Sequence, residues 1–204
     1  MSNMVDPLVA RIAARVRMER ERRRWTLARL AASSGVSQAM ISRIERGESS
    51  PTAVVLGKLS AAFELSVASL LTLAEESPDG SPDGTADETA VAGGVRRRDE
   101  TAEWRDPSTG YRRRQITGPR FPVELAEIRL PPGARVPYPA AAFAFVRQVI
   151  WVIEGHLTFH DGETVHGLDE GDTLELGEPA ERVFANTTDG ECRYAVLLVR
   201  GARP

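Results

Sequence analysis

Apolar residues recur at helical spacing up to residue 74 and in short strand-like runs after residue 94, and nothing between the two has an apolar period. A chain that changes period in this way folds as two units of different class, because a spacing of 3.6 and a spacing of 2 bury different faces. In the first part Leu8, Ile12 and Val16 are four residues apart. Thr26 is placed to cap a second helix holding Leu27, Leu30 and Ala31, which stops at Gly35. Ser37 is placed to cap a third, with Ile41 and Ile44 inward and Gly47 at its end. Thr52, after Pro51, opens a fourth through Val55, Leu56, Leu59 and Phe63, and Val67, Leu70 and Leu71 mark a short fifth. Five short helices of this kind close one compact core.

The second part reads as strands at Val123 to Arg129, Gln148 to Glu154, Leu157 to His160, Thr173 to Leu176, Val183 to Ala185 and Arg193 to Val199. Pro131-Pro132-Gly133, Asp161-Gly162, Gly171-Asp172 and Asp189-Gly190 punctuate them, which predicts a sandwich or barrel. Between the parts, Glu75 to Gly94 carries two Ser-Pro-Asp-Gly units and acids without a base. Pro and Gly break both regular structures and like charges repel, so this segment is expected to be a flexible linker. The expected organisation is a helical domain over 1–74, a linker over 75–94 and an all-β domain over 95–204.

Charge is distributed unevenly. Residues 1–74 hold eleven basic against six acidic side chains, a net of +5, while the linker carries −6 and residues 95–204 carry −2. A basic first third is expected to meet a polyanion. The longest apolar stretches fall far below the ~20 residues of a membrane helix, and Asp6 and Pro7 interrupt the order a signal peptide needs. A cytoplasmic protein is expected, with no membrane partner. Cys192 is the lone cysteine, which excludes a disulfide framework and a cysteine zinc cluster and predicts a small core residue.

The segment from Thr26 to Gly47, followed by Glu48-Ser49-Ser50-Pro51, is the most constrained. Ala31 lets two helices cross closely, and Gly35 supplies a left-handed turn. With Val36, Ile41 and Ile44 inward, Ala39, Ser42, Arg43 and Arg46 fall on one outward stripe with Gln38 at its start. Such a face suits a DNA major groove, where Gln pairs bidentately with adenine and Arg with guanine.

This segment resembles the helix-turn-helix of the XRE family, which includes phage repressors and many bacterial regulators. The matching features are a Leu-Ala pair, the Gly35-Val36-Ser37 turn, the stretch Ile41-Ser42-Arg43-Ile44-Glu45-Arg46-Gly47 and the following Pro51, within roughly residues 9–72. The resemblance implies that Gln38, Ser42 and Arg43 read bases and that Ala39 touches a thymine methyl. It also implies that Thr26, Ser37 and Arg46 contact phosphates, and that Arg20 pairs with Glu45. The Arg22-Arg23-Arg24 run is expected to attract phosphates without reading sequence.

Residues 111–200 resemble a cupin, a double-stranded β-helix of jelly-roll form. The matching pieces, in order, are Pro131-Pro132-Gly133-Ala134, Val152-Ile153-Glu154-Gly155-His156-Leu157, Leu168-Asp169-Glu170-Gly171-Asp172-Thr173-Leu174 and Phe184-Ala185-Asn186. Metal-binding cupins take two His and a Glu from the first motif and a His from the second, a donor set suited to transition metals. Here Val136-Pro137-Tyr138-Pro139 stands where the two His belong, Gln148 where the Glu belongs and Arg182 where the last His belongs. Neither a metal nor another cofactor is expected, and no catalytic residue is assigned. His156, His160 and His166 fall on outer hairpins, with surface or internally satisfied roles.

Tyr138, Gln148, Trp151 and Arg182 gather around the motif strands. Two readings stand for them: a pocket for a small organic anion anchored by Arg182, or a filled barrel that serves only to dimerise. The run from Pro139 to Phe145 exceeds what the motif needs and suits either a lid or a dimer contact. The leading expectation is a homodimeric regulator that binds double-stranded operator DNA and senses a small-molecule effector. The alternatives are a cupin enzyme, metal-dependent or atypical, fused to a DNA-binding domain, and a ligand-independent DNA-binding or dimerisation protein.

Overall fold

The computed structural model describes residues 7–75, 95–118, 121–144 and 146–200. Five helices come first: α1 (Pro7–Arg22), α2 (Leu27–Ser34), α3 (Gln38–Glu45), α4 (Ala53–Ala62) and α5 (Val67–Glu75). Three of the starts follow from a hydroxyl: Thr26 accepts from the Arg29 N–H at 3.1 Å, Ser37 from Met40 at 3.2 Å and Thr52 from Val55 at 3.3 Å. Gly35 ends α2 in the left-handed region at φ 65°, and its N–H donates to the Ala31 carbonyl. Ile12, Val16, Leu30, Ile41, Ile44, Leu56, Leu59, Phe63 and Leu70 meet in the helical core with no exposed surface. The spacing read from the sequence therefore places every helix.

Ten strands follow: β1 (Glu103–Arg105), β2 (Arg112–Gln115), β3 (Val123–Leu130), β4 (Arg135–Tyr138), β5 (Val146–Glu154), β6 (Leu157–Asp161), β7 (Thr164–Leu168), β8 (Thr173–Glu175), β9 (Arg182–Ala185) and β10 (Cys192–Arg200). They form two facing antiparallel sheets, ordered β1-β2-β3-β10-β5-β8 and β4-β9-β6-β7. This is the jelly-roll barrel expected of a cupin. Alternation sets the inside: Ala126, Ile128 and Leu130 of β3, Ile150 and Val152 of β5, and Tyr194, Val196 and Leu198 of β10 face Phe159 of β6 and Phe184 of β9. Cys192 is fully buried, and its thiol is pushed up to about 11 by burial first and Glu191 second, as befits a core residue.

The two parts are not independent. The expected linker lies outside the described residues, apart from Glu75 at the end of α5. The helices pack directly on the barrel: α4 lies against β4 and a 3-10 turn at Ala140–Phe143, and α5 against β3. Of the Pro139 to Phe145 run, expected to be a lid or a dimer contact, Phe145 lies outside the described residues, and Ala140–Phe143 packs against α4 of the same chain. Gly57 allows this approach, since a Cβ there would fall 2.6 Å from Tyr138 Cδ1. Two barrel carboxylates reach helix starts, where the backbone N–H groups and helix dipole favour negative charge. Asp106 Oδ2 accepts from the Ala53 N–H at 2.6 Å, and Glu124 Oε1 accepts from Ser69 Oγ at 2.8 Å. Among the described residues no single helix is long and apolar enough to cross a membrane. Helices α4 and α5 together would qualify only as a pair bent by 94°, and their apolar residues make up the core.

Candidate nucleic-acid interface and barrel cavity

The turn between α2 and α3 projects α3 from the helical core. Ile41 and Ile44 anchor its inner face with Val36, so Gln38, Ala39, Arg43 and Arg46 are exposed and Ser42 is half-buried beside them. This places the five residues expected to read or flank bases on one stripe. The Arg43 side chain makes no hydrogen bond or ion pair among the described residues, so its fork is available to a partner. Arg46 pairs with Glu48 at 2.6 and 2.8 Å and donates to the Ser42 hydroxyl. That ion pair is exposed, at 54% and 50% of its two side chains, and adds little stability. Thr26 and Ser37 accept hydrogen bonds as caps and keep their own hydroxyl hydrogens for an acceptor outside.

The end of α3 is tied to α1 as expected. Arg20 Nε donates to Glu45 Oε1 at 2.7 Å and Nη2 to Oε2 at 2.8 Å, while Nη1 donates to the Trp25 carbonyl at 3.0 Å. The Glu45 hydrogen bonds hold the Arg20 guanidinium above its ordinary range against the opposing effect of burial. In the Arg22 to Arg24 run, Arg22 and Arg24 are exposed and Arg23 is half-buried. Arg23 bonds the buried Glu19 carboxylate and the Phe63 carbonyl and lies 5.1 Å over the Phe63 ring. These contacts tie the end of α1 to the end of α4.

Inside the barrel a cavity of about 50 Å³ opens against α5. Ser66, Val67 and Ala68 form one wall, and Tyr111, Arg113, Tyr138, Gln148 and Tyr194 supply the polar groups of the rest. Burial pushes the Tyr138 and Tyr194 hydroxyls well above their ordinary range, so both stay neutral. Of the residues expected to bind a ligand, Tyr138 and Gln148 line this cavity, whereas Trp151 and Arg182 do not. Trp151 is 49% exposed on the outer face of the six-stranded sheet, with Leu197 and Val199 also exposed there. Pleat parity puts it there, since its neighbours Ile150 and Val152 take the inner face.

Arg182 is buried but already committed. Its Nε donates to Asp161 Oδ1 at 2.8 Å, its Nη2 to the Glu178 and Gly177 carbonyls at 2.9 and 3.2 Å, and its guanidinium lies 4.6 Å from the Phe143 ring centre. Sequence reasoning made it a ligand anchor because a carboxylate on the adjacent strand is invisible before the pairing of β6 with β9 is known. The residues at the metal-ligating positions do not fit a metal ion. Val136 and Pro137 carry no donor, Tyr138 is neutral, and Arg182 brings a cation to the last position. Of the three histidines, His156 bonds Asp169 at 2.6 Å, His160 lies 3.3 Å from Arg135, and His166 stacks on Phe159. Sequence reasoning missed Arg113, Asp106, Glu124 and Gly57, and only the register of β2 shows that the middle arginine of Arg112-Arg113-Arg114 points inward.

Residues 16–70 match the HTH_3 family, described as helix-turn-helix. The HTH-type transcriptional regulator SutR of Escherichia coli (strain K12) is 34% identical over 68 residues, which are 33% of this chain and 38% of that protein. The chain therefore aligns with well under half the length of this curated relative. A crystal structure of an HTH_3 family transcriptional regulator from Vibrio cholerae superposes with a TM-score of 0.71 at 22% identity, covering 97% of this chain and 100% of that one. It has the same fold throughout. The Cupin_2 domain of an XRE family transcriptional regulator from Enterobacter cloacae overlaps at a TM-score of 0.41 and 15% identity, covering 45% of this chain and 98% of that one.

Proposed function

We propose that this chain, whose residues 16–70 form a helix-turn-helix domain of the HTH_3 family, is a sequence-specific DNA-binding transcription regulator that works as a homodimer in the cytoplasm. The observation that carries the reading is the exposed polar stripe of α3, with a capped N-terminus and an unengaged Arg43. In this reading α3 enters the major groove, Gln38 and Arg43 read base edges, Ala39 meets a thymine methyl, and Thr26, Ser37 and Arg46 hold phosphates.

The barrel acts as the sensor in the same reading. Its cavity is walled on one side by α5, and Tyr138 on its rim touches Gly57 of α4. Helix α4 follows α3 through a short loop, and Asp106 of the barrel bonds its first N–H. A small molecule in the cavity lies against Tyr138 and the start of α5, and a shift of either reaches the recognition helix through α4. Catalysis is not part of this reading, because the positions that hold a metal in cupin enzymes carry Gln148 and Arg182 here.

Selection of bound sequences from random duplexes by the full chain tests the DNA-binding reading. Two related half-sites about one helical turn apart are expected, as a symmetric dimer of such domains requires. Enrichment of a single unpaired half-site would contradict the dimer, and no enrichment would contradict sequence reading.

A further inference from the structure

Strand β2 reads Arg112-Arg113-Arg114-Gln115, and the two outer arginines of the triplet point to acids on the surface. Arg112 donates to Glu191 at 2.6 Å and Arg114 to Glu127 at 3.2 Å. Arg113 faces the other way, into the barrel, and is 7% exposed. Its Nε and Nη2 have no hydrogen-bond partner, and no ion pair holds it among the described residues. The two buried carboxylates of this region serve other groups. Asp106 takes the N–H groups of Ala53, Ser108 and Thr109, and Glu124 takes the hydroxyls of Ser66 and Ser69. A buried guanidinium left in this state is costly, and the cost is relieved when an anion reaches it.

The space next to Arg113 suits a particular anion. The cavity of about 50 Å³ is larger than the roughly 10–15 Å³ that a single water needs. Ile128, Phe143, Phe184, Val196 and Leu198 give its lining apolar surface beside the polar groups. That combination disfavours phosphate and sulfate, which are polar all round, and fits a carboxylate with a short aliphatic tail. We propose that the cavity between the barrel and α5 is a binding site for a small aliphatic monocarboxylate, held by the Arg113 guanidinium with Gln148 and the tyrosine hydroxyls around it. This deepens the effector reading above and rests on it, with Arg113 in place of Arg182 as the charge anchor. Because Ser66, Val67 and Ala68 form one wall of the cavity, the bound carboxylate touches the helical part directly.

The test is thermal melting and titration calorimetry of the full chain with sodium acetate and sodium propionate, against sodium chloride and sodium sulfate at equal ionic strength. Acetate and propionate are expected to bind saturably and to raise the melting temperature with the logarithm of their concentration. Arg113→Gln is expected to lose that response. Gln148→Glu places a carboxylate inside the same cavity and is expected to raise the melting temperature without ligand and abolish the response to acetate. Equal stabilisation by chloride or sulfate, an unchanged response in Arg113→Gln, or a lowered melting temperature with a retained acetate response in Gln148→Glu would overturn the assignment. If Arg113→Gln does not fold, Gln148→Glu decides alone. None of these measurements uses DNA, so failure of this site and failure of the DNA-binding reading are separately visible.

Discussion

Asp161→Ala is expected to destabilise the barrel by about 3–5 kcal/mol, the range for removing one partner of a buried ion pair. The Arg182 side chain is 1% exposed and Asp161 is its sole acidic partner among the described residues. Without that carboxylate the guanidinium keeps only the Gly177 and Glu178 carbonyls and the Phe143 ring, with its positive charge uncompensated in the barrel wall. Asp161→Asn retains an acceptor and is expected to cost less. Replacing both members by leucine is expected to cost less than Asp161→Ala, since no charge is then stranded. Denaturant unfolding measures all three. Wild-type stability in Asp161→Ala would show that Arg182 does not depend on this pair.

Glu45→Ala is expected to cost the helical part toward the lower end of about 3–5 kcal/mol. The Arg20 side chain is 14% exposed against 1% for Arg182, so with its carboxylate removed water reaches the stranded Arg20 guanidinium more readily. The loss falls where α1 meets the end of α3. DNA affinity is therefore expected to drop although Glu45 touches no base, because the recognition helix loses its fixed angle to α1. Unchanged melting together with unchanged DNA affinity in Glu45→Ala would remove the pair from the account.

The helical part was legible in the sequence because each element carries its own punctuation. Thr26, Ser37 and Thr52 cap, Gly35 and Gly47 turn, and the apolar spacing between them admits one inward face. The Arg20–Glu45 pair was reached through family resemblance, and the geometry agrees. The barrel was legible in its long strands, where alternation is clear, but not in β1 and β2. Strand β2 is Arg-Arg-Arg-Gln, and a strand that buries an arginine and a glutamine has no apolar signal. The same feature hid the cavity's charged group, since three consecutive arginines read as solvated surface until the register turns the middle one inward. The docking of α4 and α5 on the barrel was illegible for a different reason. It rests on contacts between residues far apart in sequence: Gly57 with Tyr138, Ala53 with Asp106, and Ser69 with Glu124. The acidic, Gly- and Pro-containing segment between the two parts suggested separation instead.

The central claim is that the outward face of α3 reads base sequence, and competition binding of Arg43→Ala tests it most directly. The variant and the wild-type chain are titrated against the selected duplex and against each of its single-base-pair substitutions, at one fixed salt concentration. An arginine that pairs with a base contributes about 1–3 kcal/mol, concentrated at its own base pair. Arg43→Ala is therefore expected to weaken binding to the selected duplex by that amount and to become indifferent to one base pair in each half-site, with discrimination elsewhere intact. Equal loss on every duplex would make Arg43 a phosphate contact, and wild-type affinity and discrimination in Arg43→Ala would contradict the placement of α3 in the groove.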